Sequence, residues 1–208
     1  MTENNPLLVG ITGGIGSGKT TICRIFSILG IPIYEADSRA KWLMNHDLLL
    51  KQEIIQHFGT ESYDQAGLLN RAYLAAQVFS QEEKVKLINA LVHPRVGEDF
   101  SYWVQDHKKA PYLLNEAALM FESGRYLQLD RVITVFAPID LRIRRIQSRD
   151  AHRSPEEIQA IISKQMPEEE KMNKAHHILF NDEKQAVLPQ VLQLHQSFLV
   201  LSQKSQTN

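Results

Sequence analysis

The residues Gly13-Gly14-Ile15-Gly16-Ser17-Gly18-Lys19-Thr20 fit the pattern G-x-x-x-x-G-K-[S/T]. Glycines at this spacing let the main chain wrap around phosphate oxygens, so that successive N–H groups and a following helix N-terminus face the anion. In such a loop Lys19 reaches the β- and γ-phosphates of a nucleoside triphosphate, the Thr20 hydroxyl ligates Mg²⁺, and Thr21 adds a hydroxyl contact at the α-phosphate. The chemistry to expect is binding of Mg·ATP. A Gly-rich turn without a ligand is the competing reading, and the strand and helix on either side of the loop weigh against it.

Nucleotide binding leaves the reaction open, because switches, motors, synthetases and kinases share this loop. Guanine recognition of the Ras type needs N-K-x-D, whereas Asn173-Lys174-Ala175-His176 puts His where the Asp belongs. Asp64-Gln65-Ala66-Gly67 matches D-x-x-G, but it lies in a helical stretch and reads as a turn.

The elements that must hold the loop are legible as periodicities. Leu7–Thr12 is a short apolar run ending in the glycines, as a buried parallel strand does, and Ile22, Ile25, Phe26, Ile28 and Leu29 recur at helical spacing until Gly30. Further strands are expected at 31–34, 112–114, 131–136 and 176–180. Helical patterns separate them, which gives a parallel sheet. From Asp37 to His107 the chain reads as helices without a strand, a helical insertion of about residues 39–107 in a core of 7–38, 108–150 and 175–201. Ser154-Pro155-Glu156-Glu157 is a capped helix start that opens a helical pair over about 150–174. Val187, Val191, Leu192, Leu194, Phe198 and Leu199 mark a terminal amphipathic helix, followed by a polar tail, Ser202 to Asn208.

Composition narrows the partners. The 208 residues suit one domain with insertions, and a net charge of −1 is not that of a chain built to neutralise a nucleic-acid backbone. The start, Met1 to Pro6, lacks the basic and apolar pattern of a signal peptide, and no run approaches the ~18 apolar residues of a membrane span. The expectation is a cytoplasmic protein with no nucleic-acid or membrane partner, monomeric or a small homo-oligomer. The single cysteine, Cys23, reads as core, and His176 and His177 have no third ligand at metal spacing.

Glu35-Ala36-Asp37-Ser38-Arg39-Ala40-Lys41 follows the second strand and, with the glycine loop, resembles the D-A-D-x-x-A-R signature of dephospho-CoA kinases. Leu91-Val92-His93-Pro94, Glu116-Ala117-Ala118-Leu119-Met120-Phe121-Glu122 (similar to D-I-P-L-L-F-E), Arg145–Asp150, Gln165 and Asn181 extend the resemblance to about residue 195. It implies an α/β kinase with a doubly wound five-stranded parallel sheet in the order 2-3-1-4-5, a helical acceptor insertion and a small lid. It also implies phosphorylation of the ribose 3′-hydroxyl of dephospho-CoA by ATP with Mg²⁺, giving ADP and coenzyme A.

The same resemblance assigns roles by position. Asp37 becomes the group that takes the hydroxyl proton, against the competing reading of a helix N-cap. Arg39, Lys41, His93 and Glu116 fall on the acceptor side, with Glu35 and Glu116 open to either Mg²⁺ or substrate. Lys41 stands where the family has Arg and lacks its fork. Arg142, Arg144, Arg145, Arg149 and Arg153 resemble a cationic lid. Arg149 is expected on phosphate, Arg142 and Arg144 on a solvated helix face, and Asn181 near adenine. His93 reads either as structural, before Pro94 at a helix junction, or as part of the acceptor pocket. Ala118 replaces the family proline, which puts loop geometry rather than reaction in question.

Overall fold

The computed structural model describes residues 5–78 and 81–205. In chain order the elements are β1 (Leu7–Thr12), α1 (Lys19–Ile28), β2 (Ile33–Glu35), α2 (Ala36–His46), α3 (Leu48–Phe58), α4 (Arg71–Val78), α5 (Glu82–Asp106), β3 (Tyr112–Glu116), β4 (Arg131–Phe136), α6 (Ile139–Arg149), α7 (Pro155–Ser163), α8 (Glu168–Lys174), β5 (His177–Phe180) and α9 (Val187–Ser205). The five strands form one parallel sheet in the order β2-β3-β1-β4-β5. From β1 the chain leaves toward β2 and from β4 toward β5, so the connections diverge at the boundary between β1 and β4. Open parallel sheets bind ligands at such a divergence.

Val9 and Ile11 of β1 are fully buried, which follows from a central strand covered on both faces. On one face Ile22, Cys23 and Phe26 of α1 and Val191 and Phe198 of α9 close over Leu7, Val9, Ile11, Tyr112, Leu114, Ile133 and Val135. The Tyr112 ring takes Phe26 edge-on at 6.4 Å and Phe198 at 5.4 Å, and its hydroxyl bonds His195 Nδ1 at 2.7 Å. Burying each ring contributes roughly 1.5–3 kcal/mol. Cys23 is core as expected, its thiol pushed up to about 12 by burial first and then by Glu116 and Glu35, against Lys19.

Contacts divide the chain into two compact units, one carrying the sheet with α1 and α6–α9, the other spanning Ala36–Gln105. In the second, Asp47 caps α3 by accepting from Leu49 N and Leu50 N at 3.0 Å, and Leu50, Ile54 and Phe58 form its buried stripe. Asp64 Oδ1 accepts from Ala66 N and Leu68 N at 2.9 Å, so the D-x-x-G match is a turn, as expected.

Two expectations need correction. His93-Pro94 is not at a helix junction: α5 runs unbroken through Pro94, because Val92, Val96 and Phe100 bury one stripe across it and offset the lost hydrogen bond. The polar tail begins later than expected, since α9 continues through Ser205 with Ser202 buried; residues 206–208 lie outside the described residues. The capping box at Ser154 is present, with Glu157 N donating to Ser154 Oγ at 3.2 Å and Ser154 N to Glu157 Oε2 at 2.9 Å. Among the described residues no helix is long and apolar enough to cross a membrane.

His177 packs edge-on against Phe198 at 5.3 Å, and its Nε2 is buried with no hydrogen-bond partner. Burial first, then the charges of His176 and Arg131, hold its pKa below the ordinary imidazole value. Its stabilising contribution is therefore complete above about pH 6.5 and is lost as pH falls below that toward the folded value. His177→Phe should flatten the acid limb of the melting temperature between about pH 6.5 and 5; an unaltered slope in thermal denaturation contradicts this.

Candidate active site

The glycine loop joins β1 to α1 at the divergence of the sheet. Gly18 precedes α1 in the left-handed region, φ 94°, and makes no side-chain cap hydrogen bond to the first turn of the helix. A Cβ at Gly18 would come within 2.2 Å of Asn181 Nδ2. Side chains here would both strain the backbone and displace that amide. Lys19 lies back across the loop and donates from Nζ to Gly13 O at 2.8 Å.

Asn181 follows β5 and holds the loop directly. Its Nδ2 donates to Ser17 O at 2.7 Å, its backbone N donates to Phe136 O at 2.8 Å, and its carbonyl accepts from Arg145 Nη1 at 3.2 Å. The resemblance placed this residue near adenine; its side-chain amide is engaged with the phosphate loop.

A cavity of about 640 Å³ opens over the loop, and its lining brings together Ile15, Gly16, Gly18, Lys19, Thr20 and Thr21 of the expected nucleotide site with Arg145 and Arg149 of α6. Arg24 and Lys164 also line it, and among the described residues no carboxylate does. A chain of net charge −1 thus presents a locally cationic recess. The recess fits a polyanion, and positive φ at Gly13, Gly16 and Gly18 gives the loop a curvature few side chains would tolerate. Arg149 grips its neighbour Asp150 in a two-pronged pair, Nε–Oδ1 3.0 Å and Nη2–Oδ2 2.9 Å, and that hydrogen bond raises its pKa. Ala118, at the family proline, lines the same cavity and accepts from Thr12 Oγ1 at 3.4 Å.

On the other side of β1, Glu35 and Glu116 stand opposite one another at the ends of β2 and β3. Thr20, at the start of α1, is exposed and lines the cavity; its hydroxyl is a hard oxygen donor of the kind Mg²⁺ prefers. Among the described residues no group of three or more His, Cys, Asp or Glu could hold a metal ion.

The acceptor-side candidates fall in the unit spanning Ala36–Gln105, apart from Glu116. Asp37 is exposed in the first turn of α2, two residues beyond β2. Arg39 pairs with Asp99 through both Nε, at 2.9 Å, and Nη2, and lies over the Trp42 ring at 4.5 Å. Lys41 is exposed on α2 and His93 on α5.

Arg144 is solvated as expected, at 71% exposure, but Arg142 is not: only 2% of its side chain is accessible. Burial lowers its pKa, and the carboxylate of Glu168, 2.9 Å from Nη1, works against that shift. Burying a guanidinium costs several kcal/mol unless its donors are met. Here Nε donates to Ile15 O at 2.8 Å and Nη2 to Gln165 Oε1 at 3.4 Å. The alternation of arginine and isoleucine along α6 carried a signal, since position 142 falls on the same stripe as the buried Ile146.

Residues 7–186 match the family model for dephospho-CoA kinase. The dephospho-CoA kinase of Chlorobaculum tepidum is 39% identical, with 97% of this chain and 99% of that one covered. A solved structure from Thermus thermophilus superposes with a TM-score of 0.80 at 32% identity, covering 94% of this chain and 97% of that one. Dephospho-CoA kinase from Campylobacter jejuni superposes with a TM-score of 0.66 at 26% identity, covering 95% and 98%. A cationic phosphate loop at the switch of a 2-3-1-4-5 sheet, matched in sequence and in backbone over nearly the whole chain, belongs to an ATP-using kinase, and the chain is a member of the dephospho-CoA kinase family.

Proposed function

We propose that this chain transfers the γ-phosphoryl group of ATP to the ribose 3′-hydroxyl of dephospho-CoA, releasing ADP and coenzyme A in the last step of coenzyme A synthesis. The observation that carries the reading is the phosphate loop and its cationic cavity in a chain of this family. The Thr20 hydroxyl, with water, would hold Mg²⁺, which would offset the charge of the β- and γ-phosphates.

The chain's own residues do the rest. The loop amides of 13–18 bind and orient the phosphates, and Thr21 adds its hydroxyl at the α-phosphate. Lys19 exchanges the Gly13 carbonyl for a γ-phosphate oxygen, and Arg149 exchanges Asp150 for the transferring group. The loop bond of the Asn181 side chain leaves its backbone and the Arg145 guanidinium to border the base. Asp37, carried two residues past a strand that ends at the sheet's C-terminal edge, takes the proton of the 3′-hydroxyl. Arg39, Lys41, His93 and Glu116 bind the acceptor, and the insertion of about 39–107 is its domain. The reading places the enzyme in the cytoplasm, where ATP is abundant.

Two variants test it, with ADP release and product mass followed in the presence of dephospho-CoA and ATP affinity measured separately by calorimetry. Lys19→Ala should lower kcat by about 10²–10³-fold, because the γ-phosphate loses its principal cation; turnover within twofold of wild type ends the phosphate-loop account. Asp37→Asn should keep ATP affinity while transfer falls by about 10²–10⁴-fold. Lost ATP affinity with surviving transfer would make Asp37 a structural cap instead.

A further inference from the structure

Ile15, at the apex of the phosphate loop, has both of its backbone polar groups held by side chains from outside the loop. Its carbonyl accepts from Arg142 Nε at 2.8 Å, and its N–H donates to Gln165 Oε1 at 2.9 Å. The two holders are themselves joined, Arg142 Nη2 to Gln165 Oε1 at 3.4 Å. Gln165 sits in the turn between α7 and α8, which Glu122 fixes by accepting from Met166 N at 2.7 Å. Glu168, at the start of α8, closes the set by pairing with Arg142 at 2.9 Å and with the fully buried Lys171 at 3.5 Å.

Arg142 also explains a glycine that phosphate does not require. The motif leaves position 14 free, yet a Cβ at Gly14 would lie 2.2 Å from Arg142 Nη2. At Gly16 it is the main chain of α6 that comes close, with a Cβ falling 2.6 Å from the carbonyl oxygen of residue 142. Burial of the Arg142 side chain is unfavourable by itself, and Arg144, two residues on in the same helix, stays in water. Two buried cations facing one carboxylate also leave a net positive charge beneath the loop, of the sign that favours an anion above it.

We infer that Arg142 and Gln165 are positioning residues for ATP: together they clamp the peptide units at Ile15 and tie the phosphate loop to the lid helices α7 and α8. The inference rests on the phosphate-loop reading of residues 13–20. Fixing both groups of Ile15 orients the neighbouring amides before the nucleotide arrives, so the ordering cost is not taken from binding. The clamp acts on nucleotide affinity and leaves the acceptor's own contacts untouched.

Arg142→Met suits the test, because it leaves Glu168 and Lys171 as a one-to-one pair and fills the space with an apolar chain. Gln165→Leu, at a half-buried position, breaks the other arm without touching a charge. The readouts are the Kd for Mg·ATP by titration calorimetry and, in steady state, the KM for ATP beside the KM for dephospho-CoA, on proteins whose melting curves remain cooperative. Both variants should weaken Mg·ATP at least tenfold and shift the acceptor KM by less than twofold. A folded variant of either kind whose Mg·ATP Kd stays within twofold of wild type overturns the clamp, and so does an equal rise in both KM values. Should Arg142→Met fail to fold, Gln165→Leu decides alone. Lys19→Ala, measured alongside, separates the two failures. Unchanged turnover there removes the phosphate-loop reading itself, whereas lost turnover with unaltered Kd in the other two removes only the clamp.

Discussion

Backbone N–H groups bind an anion well only if they are already aimed at it, and in this chain that requirement falls on a loop made mostly of glycine. Glycine gives the curvature but loses more conformational freedom on ordering than any other residue. The loop must therefore borrow rigidity from its surroundings. It hangs from β1, the central strand, flanked by β3 and β4 and buried on both faces. From the side of β5, Asn181 holds Ser17 O, and Arg145 in turn holds Asn181. From α6 Arg142, and from the turn between α7 and α8 Gln165, hold Ile15. Strand order, helix placement and the buried ion set all converge on keeping one short stretch of main chain in place.

The same side chain serves different ends along α6, and burial decides which. Arg144 is in water, Arg145 and Arg149 face the cavity over the loop, and Arg142 is sealed beneath it. What changes is what the guanidinium meets: the open cavity for Arg145 and Arg149, a peptide unit and a carboxylate for Arg142. The long side chain of Glu168, whose Oε1 bonds both Arg142 and Lys171, makes the buried setting tenable. Its Oε2 is buried with no hydrogen-bond partner among the described residues.

Much of this was readable from the sequence, and the reason is spacing. The loop, its lysine and its threonine are fixed by local geometry, so their offsets survive as a pattern, and the strands flanking the insertion show as short apolar runs bounded by turns. The strand order was available only through the resemblance, because periodicity says which residues pair with a core and not which strand lies beside which. Arg142 was missed because its partners, Ile15, Gln165 and Glu168, lie far away in the chain, and four arginines in one helix look alike until burial separates them. The unbroken α5 was missed for a related reason: Pro94 is a local stop signal, while the stripe of Val92, Val96 and Phe100 that overrides it draws its strength from tertiary packing.

The claim on which the account stands is that the anion held by this loop is ATP and that its terminal phosphoryl group goes to one acceptor. The measurement that tests it most directly is ADP formation with Mg·ATP across dephospho-CoA, AMP, GMP, CMP, adenosine and no acceptor, with the mass of each product recorded. The account predicts one added phosphoryl group on dephospho-CoA and on nothing else. A phosphorylated monophosphate in place of coenzyme A, or ADP released at full rate with no acceptor present, would contradict it.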